Sequence, residues 1–401
     1  MSISESTQNM TLRIWLALFV LALSTFNIVT TELAPIGLLT PMAEALQTTE
    51  SYVGMTVSFY AWVGALSALM ASVFLGAVGK KNLLIVLTLV LVISNGLAAS
   101  AETFTSLMTA RVIGAIAHGA FWSIIGVSAA SIVPANYIGR ATSIVFGGVS
   151  VASVFGVPIS NYIGIHIGWR SAFLAMSVLS VVSLIGIACL VPRINEKSSV
   201  GIAAIKAVFK SNSLIKVYFA TILTISAHFT AFTYIEPMLN SLVHVSGDVI
   251  PMLLLVFGLA GIAGNFITAV LIDNHLKTIA VVSVLFAASM LTLIGQFHLQ
   301  WSQAHIGLAL VIWGATASCI FVALQTWVLR LASEQTFSAS ALYVAFFNLA
   351  IGIGASLGAW LVASYNVSFL YIFAGVAMAL SLVFITIVPV KSENNQLAED
   401  V

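Results

Sequence analysis

Charge is what this 401-residue chain has least of: Lys, Arg, Asp and Glu together make up 7% of it, while hydrophobic residues make up 60%. A soluble domain carries roughly a quarter charged residues, so a large water-soluble core is excluded. Cysteine is scarce too. Cys189 and Cys319 sit inside separate apolar runs, which gives neither a disulfide framework nor a metal-ligand spacing. There is no Gly-rich phosphate loop, no HExxH zinc pattern and no nucleophile elbow, so nothing points to an ATP-driven pump, a metalloprotease or a hydrolase. No metal, cofactor or nucleic-acid partner is expected. Short alternating segments of the β-barrel kind are also missing.

What is present is a succession of apolar runs, each near the roughly 20 residues needed to cross a bilayer. The sequence predicts an all-α polytopic membrane protein with twelve spans, at 12–38, 51–74, 82–100, 104–130, 140–164, 170–191, 213–240, 248–272, 278–296, 304–330, 337–363 and 367–390. The polar start at Met1–Thr11 followed by a long apolar run gives no cleavable signal peptide. Arg13, Lys80, Lys81, Arg140, Lys277, Arg330 and Lys391 all fall on the side of the N-terminus, which predicts both termini in the cytoplasm.

The spans divide into a first bundle (1–191), a linker (192–212), a second bundle (213–390) and a cytoplasmic tail (391–401). Within the linker, Ile202, Ile205 and Phe209 recur at helical intervals beside Lys206 and Lys210, which fits either a short helix on the inner membrane surface or a plain connection. The halves resemble each other at an offset of about 200 residues. "RVIGAIAHGAF" (111–121) aligns with "VIWGATASCIF" (311–321), "TELAP" (31–35) with "YIEP" (234–237), and "GGVSVASVFG" (147–156) with "NLAIGIGASLG" (348–358). A six-plus-six repeat is a hallmark of secondary transporters, which bind solute near the midplane between the halves.

Arg111 and His118 lie seven residues apart on one helical face, and Trp122 continues the stripe. Ionisable groups inside a membrane face a partner or a wet cavity, and the expected partner of Arg111 is Glu32. Either the pair is a static tie between helices, or Glu32 gains and loses a proton beside Arg111 with His118 assisting. The matching positions of the second half hold an aliphatic residue and Ser318, so the ionic machinery belongs to the first half. His228, Tyr234 and Glu236 in the seventh span, Tyr343 and Asn348 in the eleventh, and Asn27, Tyr60, Trp62, Phe121 and Trp122 in the first half are the candidate solute-binding residues. Glu236 also suits a surface anchor, and any one aromatic suits lipid contact. His228 and Glu236, two turns apart on a continuous helix, would border one cavity. His298 and His305 read as surface residues. Gly148, Ala152, Gly156, Ser160 and Gly164 form a ridge of small residues around Pro158, built either for static packing or for a hinge.

Taken together, "TELAPIGLL", "RVIGAIAHGAFWS", "GVPIS", "GWRSAF" and "AHFTAFTYIEP" resemble the major facilitator superfamily along essentially the whole chain, and within it the bacterial proton-coupled drug and sugar exporters. That resemblance implies two pseudo-symmetric six-helix bundles in a bacterial inner membrane. It also implies a monomer that exports small sugars or sugar-like solutes by alternating access, driven by the proton gradient. Gly76, Lys80, Gly148, Gly156, Pro158 and Asp273 would serve gating. Two departures stand out. "GAVGKKN" (76–82) lacks the acidic residue that the group carries between its glycine and its basic pair, though "LIDNHLK" (271–277) in the second half has one. Val157 separates Gly156 from Pro158, where the group sets them side by side. A multidrug exporter on the same frame, an importer, and a non-transporting membrane receptor or scaffold are the other readings.

Overall fold

The computed structural model describes residues 10–75, 78–194, 208–243, 245–332 and 336–389. Gly76, most of the predicted linker helix and the predicted tail lie outside the described residues.

The first half comprises α1 (Leu12–Leu33), a 3-10 turn (Ala34–Gly37), the short α2 (Leu39–Ala45), α3 (Glu50–Phe74), α4 (Lys80–Ala99), α5 (Phe104–Ser131), α6 (Ile138–His166) and α7 (Trp169–Leu190). The second half comprises α8 (Asn212–Phe232), the short α9 (Ile235–Asn240), α10 (Ile250–Phe297), α11 (Gln303–Leu331), α12 (Thr336–Ser364) and α13 (Val367–Ile387). With so few acidic residues, the helices start on neutral caps. The side chains of Thr11, Thr49, Ser211 and Asn366 each accept a first-turn N–H, and Thr103 forms a reciprocal capping box with Ser106. Among the described residues, eleven apolar segments are long enough to cross a membrane. One of them holds two crossings, because the 48-residue α10 turns at His275, whose backbone leaves helical geometry (φ −128°, ψ 26°). That gives the twelve crossings the sequence predicts.

Proline shapes both lead helices. Pro35 has no N–H to offer the Thr31 carbonyl four residues back, and Pro237 none for Thr233. At both places the helix ends and resumes as a short segment, so the predicted spans 12–38 and 213–240 are each broken near their far end.

Within the first half, the ridge on α6 packs against α1. A Cβ on Gly148 would lie 2.1 Å from the Ala22 carbonyl, one on Gly156 3.0 Å from Thr30 Oγ1, and one on Gly164 2.2 Å from Leu38. The α3–α5 crossing is as tight: a Cβ on Gly119 would lie 2.0 Å from the Gly64 carbonyl. These small residues let backbones touch where lipid offers no hydrophobic drive to association.

The halves meet at the end of the molecule distant from the termini, hereafter the distal end. There α3 packs along α12, and α6 along α10. Ser51 Oγ donates to the Ala359 carbonyl at 2.7 Å, Trp62 Nε1 to the Leu349 carbonyl at 3.3 Å, and His166 Nε2 stands 3.5 Å from Asp248. One buried apolar cluster runs through this junction, joining Leu38, Met42, Val53 and Val57 to Tyr234, Met238 and Leu239.

Candidate functional site

The site follows from how α1 ends. The Thr31 carbonyl, left free by Pro35, accepts Arg111 Nη1 at 2.6 Å, and the neighbouring Glu32 carbonyl accepts Nη2 at 3.1 Å. A guanidinium at a helix C-terminus also meets the negative end of the helix dipole. Arg111 is buried to 1% exposure, with its charge 4.0 Å over the Tyr60 ring and 6.0 Å from that of Phe173. Cation–π contact and two charged hydrogen bonds thus replace the water this cation has lost.

This corrects the expected pairing. No Arg111–Glu32 carboxylate ion pair forms among the described residues; the Glu32 carboxylate turns to His118 instead, with Oε2 3.6 Å from Nε2. Trp122 Nε1 donates to that same Nε2 at 2.9 Å. An indole can only donate, so Nε2 is an acceptor and the neutral ring carries its proton on Nδ1. Tyr60 stands edge-on to the imidazole at 5.2 Å. Glu32, Tyr60, Arg111, His118 and Trp122 therefore form one cluster, contributed by α1, α3 and α5.

The second half builds a different environment at the corresponding helices. His228 on α8 accepts a 3.3 Å hydrogen bond from Trp313 Nε1 of α11 and is ringed by Phe229, Phe232 and Phe321 at centroid distances of 5.1–5.3 Å. The indole-to-imidazole bond of the first half recurs here, with no ion pair to His228 among the described residues.

Several candidate solute residues sit elsewhere. Asn27 faces the interior of the first bundle, where Nδ2 donates to Ser180 Oγ at 2.6 Å. Phe121 is buried in that bundle's core. Tyr343 donates to the Phe321 carbonyl at 3.3 Å and is buried as well. Tyr234 is wedged at the distal junction, where a Cβ on Gly54 would lie 2.0 Å from its hydroxyl and one on Gly358 2.5 Å from its ring. Glu236 is buried rather than anchored at the surface. Its Oε2 accepts the Thr40 N–H of the first half at 3.0 Å, and Oε1 accepts from Asn240. The break at Thr233–Tyr234 puts Glu236 on a separate helix from His228, so the two do not border one cavity. Trp62 crosses between the halves to the Leu349 carbonyl; Asn348, next in sequence, has a buried Oδ1 with no partner among the described residues.

Of the gating candidates, Asp273 pairs with Arg330 at 2.9 Å, and Arg330 also bonds the Ile272 and Asp273 carbonyls. Lys80 opens α4, and its neighbour Lys81 donates to the Ala188 carbonyl at 2.8 Å. Pro158 lies within α6, where it has no N–H to offer the Val154 carbonyl; the other half's Gly258 comes so close that a Cβ there would lie 2.9 Å from that oxygen. His298 is buried, with Nδ1 2.8 Å from the Ile294 carbonyl, while His305 is exposed. Sequence reasoning missed Thr31, Thr40 and Trp313. For Thr31 the signal was there, in a proline four residues on.

Two related six-helix bundles, closed on each other at one end and holding a buried ionic cluster in one half, define a membrane transporter. The chain belongs to the Major Facilitator Superfamily, whose family model matches residues 14–338 and 217–400. Similar solved structures include the human organic anion transporter MFSD10 (TETRAN), at 16% identity and TM-score 0.68, covering 93% of this chain and 99% of that one. A partially occluded inward-open form of the xylose transporter XylE from E. coli matches at 16% and 0.72, covering 94% and 98%. A D-xylose-proton symporter matches at 16% and 0.74, covering 94% and 99%. At such identities the likeness is one of fold.

Proposed function

We propose that this transporter exports small sugars or sugar-like solutes from the bacterial cytoplasm across the inner membrane, in exchange for protons, as the sugar-efflux branch of its superfamily does. The observation that carries the coupling is the Glu32–His118–Trp122 arrangement beside Arg111. Glu32 is the one carboxylate of the cluster, 3.6 Å from an imidazole nitrogen fixed as an acceptor. A protonated Glu32 can donate to Nε2, whereas an ionised one presents lone pair to lone pair and is drawn toward the guanidinium instead. Proton arrival thus changes which neighbour Glu32 holds, and with it the tie between α1 and α5. With both termini in the cytoplasm, the distal end faces outward and the described state is closed to the outside. Coupling then requires that proton and solute prefer different states.

The experiment is uphill transport in everted vesicles. Glu32→Gln should remove proton-driven accumulation of the solute, while energy-independent counterflow and folding persist. Undiminished uphill transport by that variant refutes the coupling role of Glu32. A second reading, a multidrug exporter, draws support from the aromatic ring around His228, which suits flat lipophilic cations as well as sugars. The discriminating screen is substrate-dependent proton movement in proteoliposomes, run over pentoses, galactosides and cationic dyes.

A further inference from the structure

The first bundle has a polar interior that the coupling cluster does not account for. Ser24, Asn27 and Thr31 of α1 face Thr88 and Asn95 of α4 and Ser180 and Ser183 of α7, all of them at most 4% exposed. A small cavity opens within this seam, lined by Ser24, Asn27, Thr88, Phe121 and Ser183 together with aliphatic side chains of α1 and α4. Its space is about 10 Å³, the lower limit for one water molecule.

Three of the hydroxyls are committed to their own helices: Ser24 donates to Val20, Thr88 to Leu84 and Ser180 to Met176, each at 2.8 Å. Because the Ser180 proton is engaged, Ser180 Oγ must accept from Asn27 Nδ2, which fixes the amide with Oδ1 turned the other way. Asn27 Oδ1 and Ser183 Oγ, both on cavity-lining residues, have no partner among the described residues. One turn further along α1 the same situation recurs. Asn95 Nδ2 donates to Thr31 Oγ1, and Arg111 Nη1 to the Thr31 carbonyl. Asn95 Oδ1, an acceptor, and Arg111 Nε–H, a donor, are left buried without partners among the described residues. Buried donors and acceptors stranded in this way are costly. The shortfall is complementary at each level, and no carboxylate lines the cavity that would favour a cation over a neutral molecule.

We propose that this seam is a water-binding site. One water sits in the cavity on Asn27 Oδ1 and Ser183 Oγ, and a second joins Arg111 Nε to Asn95 Oδ1. The seam hydrates the Arg111–Glu32 cluster from inside the first bundle, on a path separate from the solute route between the bundles. It solvates the guanidinium while Glu32 changes its proton, so this part of the inference rests on the coupling role proposed for Glu32.

Radiolytic hydroxyl labelling read by mass spectrometry tests the water directly, because it marks side chains beside bound water. Phe121, buried yet lining the cavity, should be labelled at least fivefold faster than Phe229, which is buried in the second half's aromatic cluster. Ser183→Val, which fills the cavity, and Ser183→Ala, which only removes the hydroxyl, should each lower that labelling severalfold. Equal labelling of the two phenylalanines, or labelling that neither variant changes, overturns the site. For the role, both variants should slow proton-driven flux at least threefold while solute counterflow stays within twofold. Equal losses in both assays would mean the seam is packing alone and overturn the role. If Glu32→Gln retains coupled flux, the coupling reading falls and the labelling result still decides the water site.

Discussion

The distal closure rests on a wedge, and the wedge can be overfilled. A Cβ added at Gly54 would stand 2.0 Å from the Tyr234 hydroxyl and 2.8 Å from its Cζ. Tyr234 cannot swing clear, because it is fully buried, its hydroxyl reaches the Ala355 carbonyl at 3.4 Å, and its ring lies against Gly358. Overpacking of this kind costs about 1–3 kcal/mol. Gly54 belongs to the first half and Tyr234 to the second, so the cost falls on the closed state alone. It vanishes when the halves part. At about 1.4 kcal/mol per factor of ten, Gly54→Ala should shift the population toward the distally open state by roughly 5- to 150-fold. Spin labels at Glu102 and Gln300, both exposed near the distal end of opposite halves, would report the shift as a longer distance. Cys189 and Cys319 would first be replaced so that only these sites carry label. Adding Tyr234→Phe removes the closest atom and leaves Cζ at 2.8 Å, so the double variant should recover part of the closed population. An unchanged distance distribution in folded Gly54→Ala would refute the wedge.

Glu236→Leu strands the Thr40 N–H and should favour the open state by about 1–3 kcal/mol, whereas Glu236→Gln keeps an acceptor oxygen and should stay closed in the same distance measurement. Gly119→Ala would place a Cβ 2.0 Å from the Gly64 carbonyl and 2.8 Å from the Ala68 nitrogen. Backbone cannot step aside, so a loss of about 1–3 kcal/mol should lower the midpoint of thermal unfolding in detergent; an unchanged midpoint would contradict the α3–α5 packing. Trp122→Phe removes the donor that fixes the His118 tautomer, and the ¹⁵N resonances of labelled histidine should then move toward a mixture of the two neutral forms.

Span number and the two-bundle repeat follow from apolar length and the offset between halves, because lipid leaves the chain little choice but helices; the family was legible only in the resemblance of its motifs. The Arg111–His118–Trp122 stripe was legible as well. A spacing of four on a helix is what brings the indole to the imidazole at 2.9 Å. What each side chain faces was harder to read. Asn27 and Glu32 lie five residues apart on one helix, which turns them in opposite directions, one to α7 and the other to α5. Hydropathy assigns both simply to a span. Tyr234 and Glu236 looked like cavity residues only for as long as the seventh span was taken as unbroken.

Pro35, Pro158 and Pro237 explain much of what composition alone leaves hidden. Each removes the N–H that would have satisfied a carbonyl four residues earlier, and in the membrane interior that carbonyl must find another partner. The one freed by Pro35, on Thr31, is taken by Arg111 at 2.6 Å. The one freed by Pro158, on Val154, is approached by the opposite bundle at Gly258, where only glycine leaves room. Four residues before Pro237 the helix breaks, at Thr233–Tyr234, and the break delivers Tyr234 and Glu236 to the distal junction. A missing backbone N–H thus fixes Arg111 in one place and contacts between the halves in the other two. The same reading makes Pro35→Ala a sharper probe of the cluster than any substitution of its charged members. The restored N–H would compete with the guanidinium for the Thr31 carbonyl and weaken the tie between α1 and α5, with every ionisable group still present. Proton-driven flux should fall while the solute-binding surfaces stay as they were. Normal coupling in Pro35→Ala would mean that Arg111 does not depend on that carbonyl, and the account of how α1 builds the site would fail.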